Sequence, residues 1–386
     1  IGSESLHLWF SSSRFFVVPG SWLHTEAQTP TFWRMYKINQ LGLLVPDQPP
    51  GSHPDSSISF GVPPFSHSRG IHSILPAAMA EVLLSRAGFP EWERIPFVLT
   101  VLYHDCATPV GGDSVKRMDP IALSEETNFA RVLELSGLSE RWRRDYGFNL
   151  EQASSWVRNE GTFGLLLDIL DKMSYVALDC YALGYFRAGL VRDYCLEHPL
   201  FMDVWEDILF THDRKRIAFR DPERLFTFLL ARAYEHQELL HNPYSRIFDF
   251  TLTRIVREYY LKGNITRDNL ITWGPERFEV ELAQRGQSAL IDLMEPDEYE
   301  FKRFDTAEEL HRFCRLIGGD HVDHVEYIRG CNPCLDWPVF TDPEQRTGIV
   351  PLWQLLPQRC IDLIVRVSQS RKGHYAYWRK TPERSQ

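Results

Sequence analysis

Apolar residues recur every three to four positions over most of the chain, which is the spacing of amphipathic α-helices. Between residues 66 and 87 they include Ile71, Leu75 and Met79, and Gly88 and Pro90 then stop the predicted helix. Residues 93–105 are more uniformly apolar, which indicates a buried helix. The helical pattern returns in seven further segments, at residues 30–41, 124–135, 150–158, 163–186, 199–211, 222–241 and 244–262.

The pattern changes after Gly263 and Asn264. Shorter segments follow, such as Glu298-Tyr-Glu-Phe301 and His324-Val-Glu-Tyr-Ile328, with more Pro and Gly between them. The first residues are apolar and Ser-rich, which is typical of a short hairpin or an extended arm. The predicted fold class is therefore mainly α, with an N-terminal arm (residues 1–24), a helical core (residues 25–264) and a smaller C-terminal α+β extension (residues 265–386).

Composition narrows the classes of function. The 386 residues are 44% hydrophobic and 13% aromatic, as expected for an ordered globular protein. A net charge of −10 disfavours a non-specific nucleic-acid binder. The seven cysteines lack regular spacing, which is typical of reduced thiols and predicts a cytoplasmic location. No apolar run reaches about 18 residues, so we expect no membrane partner.

A candidate metal site combines residues from three predicted helices. His104 and Asp105 end an apolar run, with His67 before them and Asp171 after them in the chain. Imidazole and carboxylate ligands together suit Zn, Mn, Fe, Ni or Mg, and they leave room for water or a phosphate oxygen. The alternative is that the histidines are core residues, Asp105 caps a helix and Asp171 pairs with Lys172. A metal is favoured because an apolar helix ending in His-Asp buries a charge that needs a partner.

The chain resembles a known family in four motifs that occur in the family's order. Thr29-Pro-Thr-Phe-Trp-Arg-Met-Tyr-Lys-Ile-Asn-Gln-Leu-Gly42 is similar to TPxFxRLxxIxQLG, and Phe65-Ser-His-Ser-Arg-Gly70 is similar to RFxHSxG. Asp171-Lys-Met-Ser-Tyr-Val-Ala-Leu-Asp179 is similar to DKxxYxxxD. With His104-Asp105, these motifs resemble the HD-domain superfamily of metal-dependent phosphohydrolases. The likeness is to its deoxynucleoside triphosphate triphosphohydrolase branch, which includes the sterile-alpha-motif and HD-domain enzyme and the bacterial dGTPases. It covers roughly residues 25–190.

The resemblance implies a ligand set and a substrate class. It implies one divalent metal ion on His67, His104, Asp105 and Asp171, a nucleotide or other small phosphorylated substrate, and a homo-oligomer. Lys172 would contact phosphate, and Gln40, Tyr175 and Asp179 would contact the sugar. An ungapped alignment puts Arg232 where the family binds distal phosphates. The alternatives are a core phenol at Tyr175, a solvated acid at Asp179 and a surface salt bridge at Arg232.

The chain departs from the family after His104-Asp105. Thr108 stands in place of the family's proton-donating His, Asp113 in place of its second His, and Pro64 in place of the Arg before the first metal His. Glu125-Glu126 corresponds best to the family's His-Glu pair. Proton transfer would therefore fall to Glu126, Glu125 or Asp113, whose pKa would need to be raised by burial or mutual repulsion.

The expected function is metal-dependent hydrolysis of a phosphoester in a nucleotide, with a deoxynucleoside triphosphate as the favoured substrate. Two alternatives remain, a phosphatase for another phosphorylated metabolite and a nucleotide-binding regulatory protein with little turnover. A second metal site is also a candidate, because His321-Val-Asp-His324 and Cys331-Asn-Pro-Cys334 together offer zinc ligands. The alternative there is that the cysteines are small core residues.

Overall fold

The structure is a computed structural model, and it describes residues 6–10, 13–17, 20–38, 67–182, 199–285 and 299–380. The N-terminal half and the middle of the chain are mainly helical, as predicted. The described α-helices there are α1 (Trp22–Glu26), α2 (Pro30–Tyr36), α3 (Arg69–Arg86), α4 (Glu91–Tyr103), α5 (Gly112–Lys116), α6 (Glu125–Leu135), α7 (Leu138–Tyr146), α8 (Leu150–Val157), α9 (Gly161–Ala182), α10 (Pro222–Glu235), α11 (Pro243–Leu261), α12 (Arg267–Thr272) and α13 (Pro275–Gln284).

Local sequence signals account for several of these helix ends. Ser68 caps α3 by accepting a hydrogen bond from the backbone N–H of Ile71, and Ser124 caps α6 in the same way from Thr127. The side chain of Thr29 likewise caps α2, and Pro30 occupies its first position. The prediction of an α-helix over residues 199–211 is wrong. That segment is a 3₁₀-helix, Pro199–Asp207, followed by a β-strand.

The C-terminal extension mixes helices and strands, which confirms the predicted fold class of a mainly α protein with a smaller α+β extension. It contains helices α14 (Ala307–Ile317) and α15 (Gln358–Ser368). The strands of the described chain are β1 (Leu6–Phe10), β2 (Ser13–Val17), β3 (Ile208–Phe210), β4 (Ile217–Phe219), β5 (Tyr299–Phe304), β6 (His324–Ile328), β7 (Pro338–Asp342), β8 (Thr347–Pro351) and β9 (Gly373–Arg379).

Three sheets join these strands. β1 and β2 form a hairpin, and β5-β9-β6 is an antiparallel sheet within the extension. The third sheet has the order β3-β4-β7-β8, and its β4 and β7 are parallel through Phe219 and Val339. The predicted boundary at residue 264 stays a prediction, and this sheet takes strands from both sides of it.

The main core lies among the helices and continues into the extension. Its buried members include Phe97, Leu102 and Trp142, together with Trp337 and Val339 from the extension. No helix in the described ranges is both long and apolar enough to span a membrane.

Candidate metal centre

Three packed helices bring the polar side chains of the centre together. Helix α3 packs against both α4 and α9. His72 lies near the start of α3, and Asp171 lies in the middle of α9. Helix α4 ends at Tyr103, so His104 and Asp105 follow its last turn. Neighbouring residues on a continuing helix point about 100° apart. The end of α4 is therefore what lets both side chains turn toward one point.

Interatomic distances define the centre. His72 Nε2 lies 2.8 Å from Asp171 Oδ1, and His104 Nε2 lies 3.3 Å from the same oxygen. Asp105 completes the group, with its Oδ2 3.6 Å from His72 Nε2 and its Oδ1 3.7 Å from His104 Nε2. His72, His104 and Asp171 each offer one atom within 4.8 Å of the other two, which is close enough to hold one metal ion.

Hydrogen bonds on the far side of each ring orient the two histidines. His104 Nδ1 donates to the carbonyl of Val101 at 2.7 Å. His72 Nδ1 lies 3.0 Å from Ser174 Oγ, which itself donates to the carbonyl of Asp171. Each ring thus uses Nδ1 outside the centre and presents Nε2 to it. A hydrogen bond of this kind orients a metal-ligating histidine and fixes its tautomer.

The centre attracts positive charge. Burial opposes the charged form of His104, but Asp105 and Asp171 outweigh it and raise its pKa to about 9. Burial likewise opposes the charge on Asp105, but Arg69, His104 and His72 outweigh it and lower its pKa to about 2. Asp105, which is buried, and Asp171, which is partly buried, therefore need a cation between them, which is either a proton on an imidazole or a metal ion.

His72 rather than His67 stands beside Asp171. His67 Nδ1 lies 3.3 Å from Asp179 Oδ1, and the centroids of the His67 and His72 rings are 6.0 Å apart. Metal ligation by His67 remains a prediction, and the motif likeness did not identify His72. A helical signal was available, because His72 shares a face with the buried Leu75 and Met79 at i+3 and i+7.

Arg69 is the second residue that sequence reasoning missed. It lies three residues before His72. The Arg-x-x-His spacing that Pro64 removes before His67 is therefore present five residues later, at Arg69 and His72. Its side chain is buried, with Nη1 3.0 Å from Asp105 Oδ2 and Nη2 3.1 Å from Asp113 Oδ2. This guanidinium places one fixed positive charge next to the centre.

A cavity of about 270 Å³ opens beside the centre. Carboxylates dominate its described lining, and Arg69 and Lys116 are the permanent cations among those lining residues. The lining also contains the aromatic side chains of Tyr175 and His236. The acidic members are Asp105, Asp113, Glu125, Glu126, Asp168, Asp171 and Asp179.

The three predicted proton-transfer residues all line this cavity but differ in surroundings. Glu125 is buried, accepts a hydrogen bond from Thr108 Oγ1 at 3.0 Å and forms an ion pair with Lys116. Burial raises its pKa despite the opposing charge of Lys116. Asp113 is half-exposed and paired with Arg69, and Glu126 is exposed.

Some of the predicted substrate-binding residues lie at the same cavity. Tyr175 and Asp179 line it, and Lys172 is paired with Asp168, a lining residue. Burial raises the pKa of Asp179 to about 7. Arg232 is buried against the extension, and Gln40 lies outside the described residues.

The candidate zinc site does not assemble among the described residues. Within the part of the chain that the structure describes, His321, His324, Cys331 and Cys334 do not gather into a metal-holding group. The ring of His324 stacks on Phe250 at a centroid distance of 4.6 Å. Both thiols instead lie 3.7 Å from Nη1 of Arg232, and a guanidinium between two sulfur atoms opposes a cation there.

Comparisons with known proteins show the fold. No family model matches the chain, and no curated protein matches it in sequence. Among solved structures, a hypothetical protein from Aquifex aeolicus has a TM-score of 0.70 at 16% identity, over 97% of this chain and 96% of its own. A phosphohydrolase from Bacteroides thetaiotaomicron has a TM-score of 0.65 at 14% identity, over 95% of this chain and 97% of its own. The chain is thus similar over nearly its whole length to both structures and shares their fold.

Proposed function

We propose that this protein is an HD-domain phosphohydrolase that uses one divalent metal ion to hydrolyse a phosphoester in a nucleotide, with a deoxynucleoside triphosphate as the favoured substrate. The observation that carries the proposal is the convergence of His72 Nε2 and His104 Nε2 on Asp171, with Asp105 beside them. The motif order and a fold shared with a structure named a phosphohydrolase support it.

The residues present fit a divalent ion. His72, His104, Asp105 and Asp171 offer two neutral nitrogens and two carboxylates, a set suited to Mn, Fe, Ni or Zn and less so to Mg. When bound, the ion would neutralise phosphate charge and lower the pKa of an attacking water. His67 would then lie outside the ligand set, against Asp179.

Charged groups around the cavity suit the remaining steps. Arg69 would hold a phosphate oxygen in a fixed position because its guanidinium is already oriented by Asp105 and Asp113. Lys116 and Lys172 would add mobile positive charge. Tyr175 and Asp179 would hydrogen-bond sugar hydroxyls. Glu125, whose pKa burial raises, would transfer a proton to the leaving oxygen, with Glu126 and Asp113 as the other candidates. A homo-oligomer remains part of the proposal.

The test is product release from a panel of deoxynucleoside triphosphates, ribonucleoside triphosphates and monophosphates with each divalent metal. Release of inorganic triphosphate from deoxynucleotides is expected, and it should be lost in Asp105→Ala. Asp145→Ala is the matched control, since Asp145 pairs with Arg144 on the surface and does not line the cavity. Tight nucleotide binding without any product would contradict the enzymatic proposal and favour a regulatory binder.

A second candidate is a phosphatase for a smaller phosphorylated metabolite. The described cavity lining carries seven carboxylates against two permanent cations, Arg69 and Lys116, which disfavours a highly charged triphosphate and favours a monophosphoester. Thr108 also favours this candidate, because the family has a proton-donating His at that position. Inorganic phosphate released from monophosphates, with no triphosphate from deoxynucleotides, would favour this candidate.

A further inference from the structure

Arg232 occupies a position that does not suit direct contact with a bound phosphate. It lies near the end of α10, is 6% exposed and does not line the described cavity. Its Nη1 donates to the backbone carbonyl of Asn332 at 2.8 Å. The thiols of Cys331 and Cys334 each lie 3.7 Å from the same nitrogen. The guanidinium is therefore held by the loop of residues 331–334, which belongs to the extension.

The other side of the guanidinium faces the cavity wall. Arg232 Nε donates to the hydroxyl oxygen of Tyr175 at 2.6 Å. The same hydroxyl lies 3.1 Å from His236 Nε2. Because an arginine N–H can only donate, the Tyr175 oxygen accepts from Arg232, and its own hydrogen is available to His236 Nε2 when that nitrogen carries no proton. Tyr175 and His236 both line the cavity.

We propose that Arg232 is a positioning residue: held by the loop of residues 331–334, it orients the Tyr175 hydroxyl and thereby fixes His236 with its proton on Nδ1, so that both side chains meet a phosphorylated ligand in a set arrangement. This proposal rests on the proposed function only in taking the ligand to be phosphorylated. The hydrogen-bond chain from Asn332 through Arg232 and Tyr175 to His236 stands on the interatomic distances.

The position of the His236 proton is a sensitive reporter of this chain. Burial, followed by the charge of Arg232, lowers the pKa of His236 to about 2, so the ring is neutral at pH values near 7. A neutral imidazole in water prefers the tautomer with the proton on Nε2. If Tyr175 donates to Nε2, the ring is held in the other tautomer, and loss of that donor should release it.

The decisive experiment is nitrogen NMR of the whole 386-residue chain labelled in its histidines, with the His236 signal assigned by its loss in His236→Gln. The native protein should show the Nδ1–H tautomer. Arg232→Met and Tyr175→Phe should each shift His236 toward Nε2–H. Arg246→Met is the control, because Arg246 is also buried and also joins the extension, through Glu326, but has no recorded contact with Tyr175 or His236.

Tyr175→Phe keeps the experiment decisive if Arg232→Met does not fold, because it removes a single oxygen atom. An unchanged His236 tautomer in Tyr175→Phe, or in a folded Arg232→Met, would overturn the proposal. Neither readout depends on turnover, so a failure of the proposed function would be seen separately.

A kinetic cycle adds a second readout if the enzyme hydrolyses p-nitrophenyl phosphate. Tyr175→Phe and Arg232→Met should each raise KM by about tenfold, the effect of one hydrogen bond. In the double variant the effect should match that of Tyr175→Phe alone, because Arg232 acts through Tyr175. Additive effects would mean that Arg232 contacts the ligand independently and would overturn the positioning role.

Discussion

At the scale of single residues, His72 and His104 have matching surroundings on different helices. Each ring places Nε2 at Asp171 and hydrogen-bonds through Nδ1 to a group behind it, Ser174 for His72 and the Val101 carbonyl for His104. This arrangement holds the rings in place before any ion binds. An ion then meets ligands that need little reorganisation, which favours affinity.

His72 and His67 are the two candidates for the first histidine ligand, and substituting each in turn should show which one binds the ion. We expect His72→Ala to weaken binding of a divalent ion on the order of 100-fold, because it removes a ligand atom from the centre. His67→Ala is the matched variant and should change metal affinity by less than about threefold. Metal content after dialysis and a competition titration would measure both. The reverse ranking would restore His67 as the ligand and reject His72.

The sequence was sufficient for part of this site. His104 and Asp105 could be placed because an apolar helix that ends in two polar residues needs a buried partner, and Asp171 could be placed from its motif and its order in the chain. The motif likeness favoured His67, which precedes α3, whereas the position of His72 in the first turn of α3 is what turns its ring toward Asp171. Arg232 was assigned from an ungapped alignment, and its contact with Asn332 joins residues too distant in sequence for any local pattern to show.

At the scale of elements, the position of His72 depends on how α3 begins. The backbone N–H of Arg69 donates to the carbonyl of Ile38 at 2.8 Å, just beyond the end of α2. A Cβ at Gly70 would lie 2.7 Å from the Tyr36 ring and 2.9 Å from the Tyr36 backbone nitrogen. The first turn of α3 therefore packs directly on the last turn of α2, two residues before His72.

Gly70→Ala should disturb this contact. Alanine usually stabilises a helix relative to glycine by up to about 1 kcal/mol, but here the clash involves backbone, which cannot move aside easily. We expect a net loss of about 2 kcal/mol in the free energy of unfolding and weaker metal binding. Urea denaturation measures the first effect. Gly319→Ala is the control, because nothing lies within 4 Å of its new Cβ. A stabilised Gly70→Ala protein would show that helix propensity outweighs packing at this contact.

Helices with a clear apolar period were predicted within a few residues of their observed ends, as for α6 after Ser124 and α11. Residues 199–211 were not. Their 3₁₀-helix and strand depend on pairing with β4, where Ile208 lies opposite Phe219. Apolar spacing records which residues are buried, and it does not record that the partner is a strand rather than a helix.

At the scale of the whole molecule, a buried ionic network connects the extension to the cavity. Tyr377 donates to Glu326, which pairs with Arg246, and Arg246 pairs with Asp249 at 2.8 Å. Asp249 in turn accepts a hydrogen bond from Ser114 at 2.6 Å, on the short helix α5 that carries Asp113 and Lys116. Sheet β5-β9-β6 thus helps to hold two residues of the cavity lining.

The pH dependence of the stability of Glu326→Gln should show how much this network stabilises the fold. Burial opposes the charge on Glu326, but Arg246 and Tyr377 outweigh it and lower its pKa. A lowered carboxyl pKa stabilises the fold above the unfolded value, and this stabilisation is lost as pH falls through the folded value. We expect the variant to be about 2 kcal/mol less stable from pH 7 to 5, with the difference shrinking below about pH 4.5.

Chemical denaturation of both proteins across this range would test the expectation. Glu258→Gln is the control, because Glu258 forms an exposed pair with Lys262 whose loss should leave the stability nearly unchanged at every pH. A difference between wild type and Glu326→Gln that does not change with pH would mean that shape rather than charge stabilises this contact.

The parallel pairing of β4 with β7 has a consequence for the order in which the molecule folds. When the ribosome has made residue 219, the strand that will lie beside it at residue 339 does not yet exist. Until then the β3–β4 hairpin has an open edge, and an open edge is where chains associate wrongly. We therefore expect the helices to form early and β4 to wait for the extension. A fragment ending near residue 264 should aggregate, whereas the same fragment supplied with residues 265–386 in trans should recover a monodisperse form.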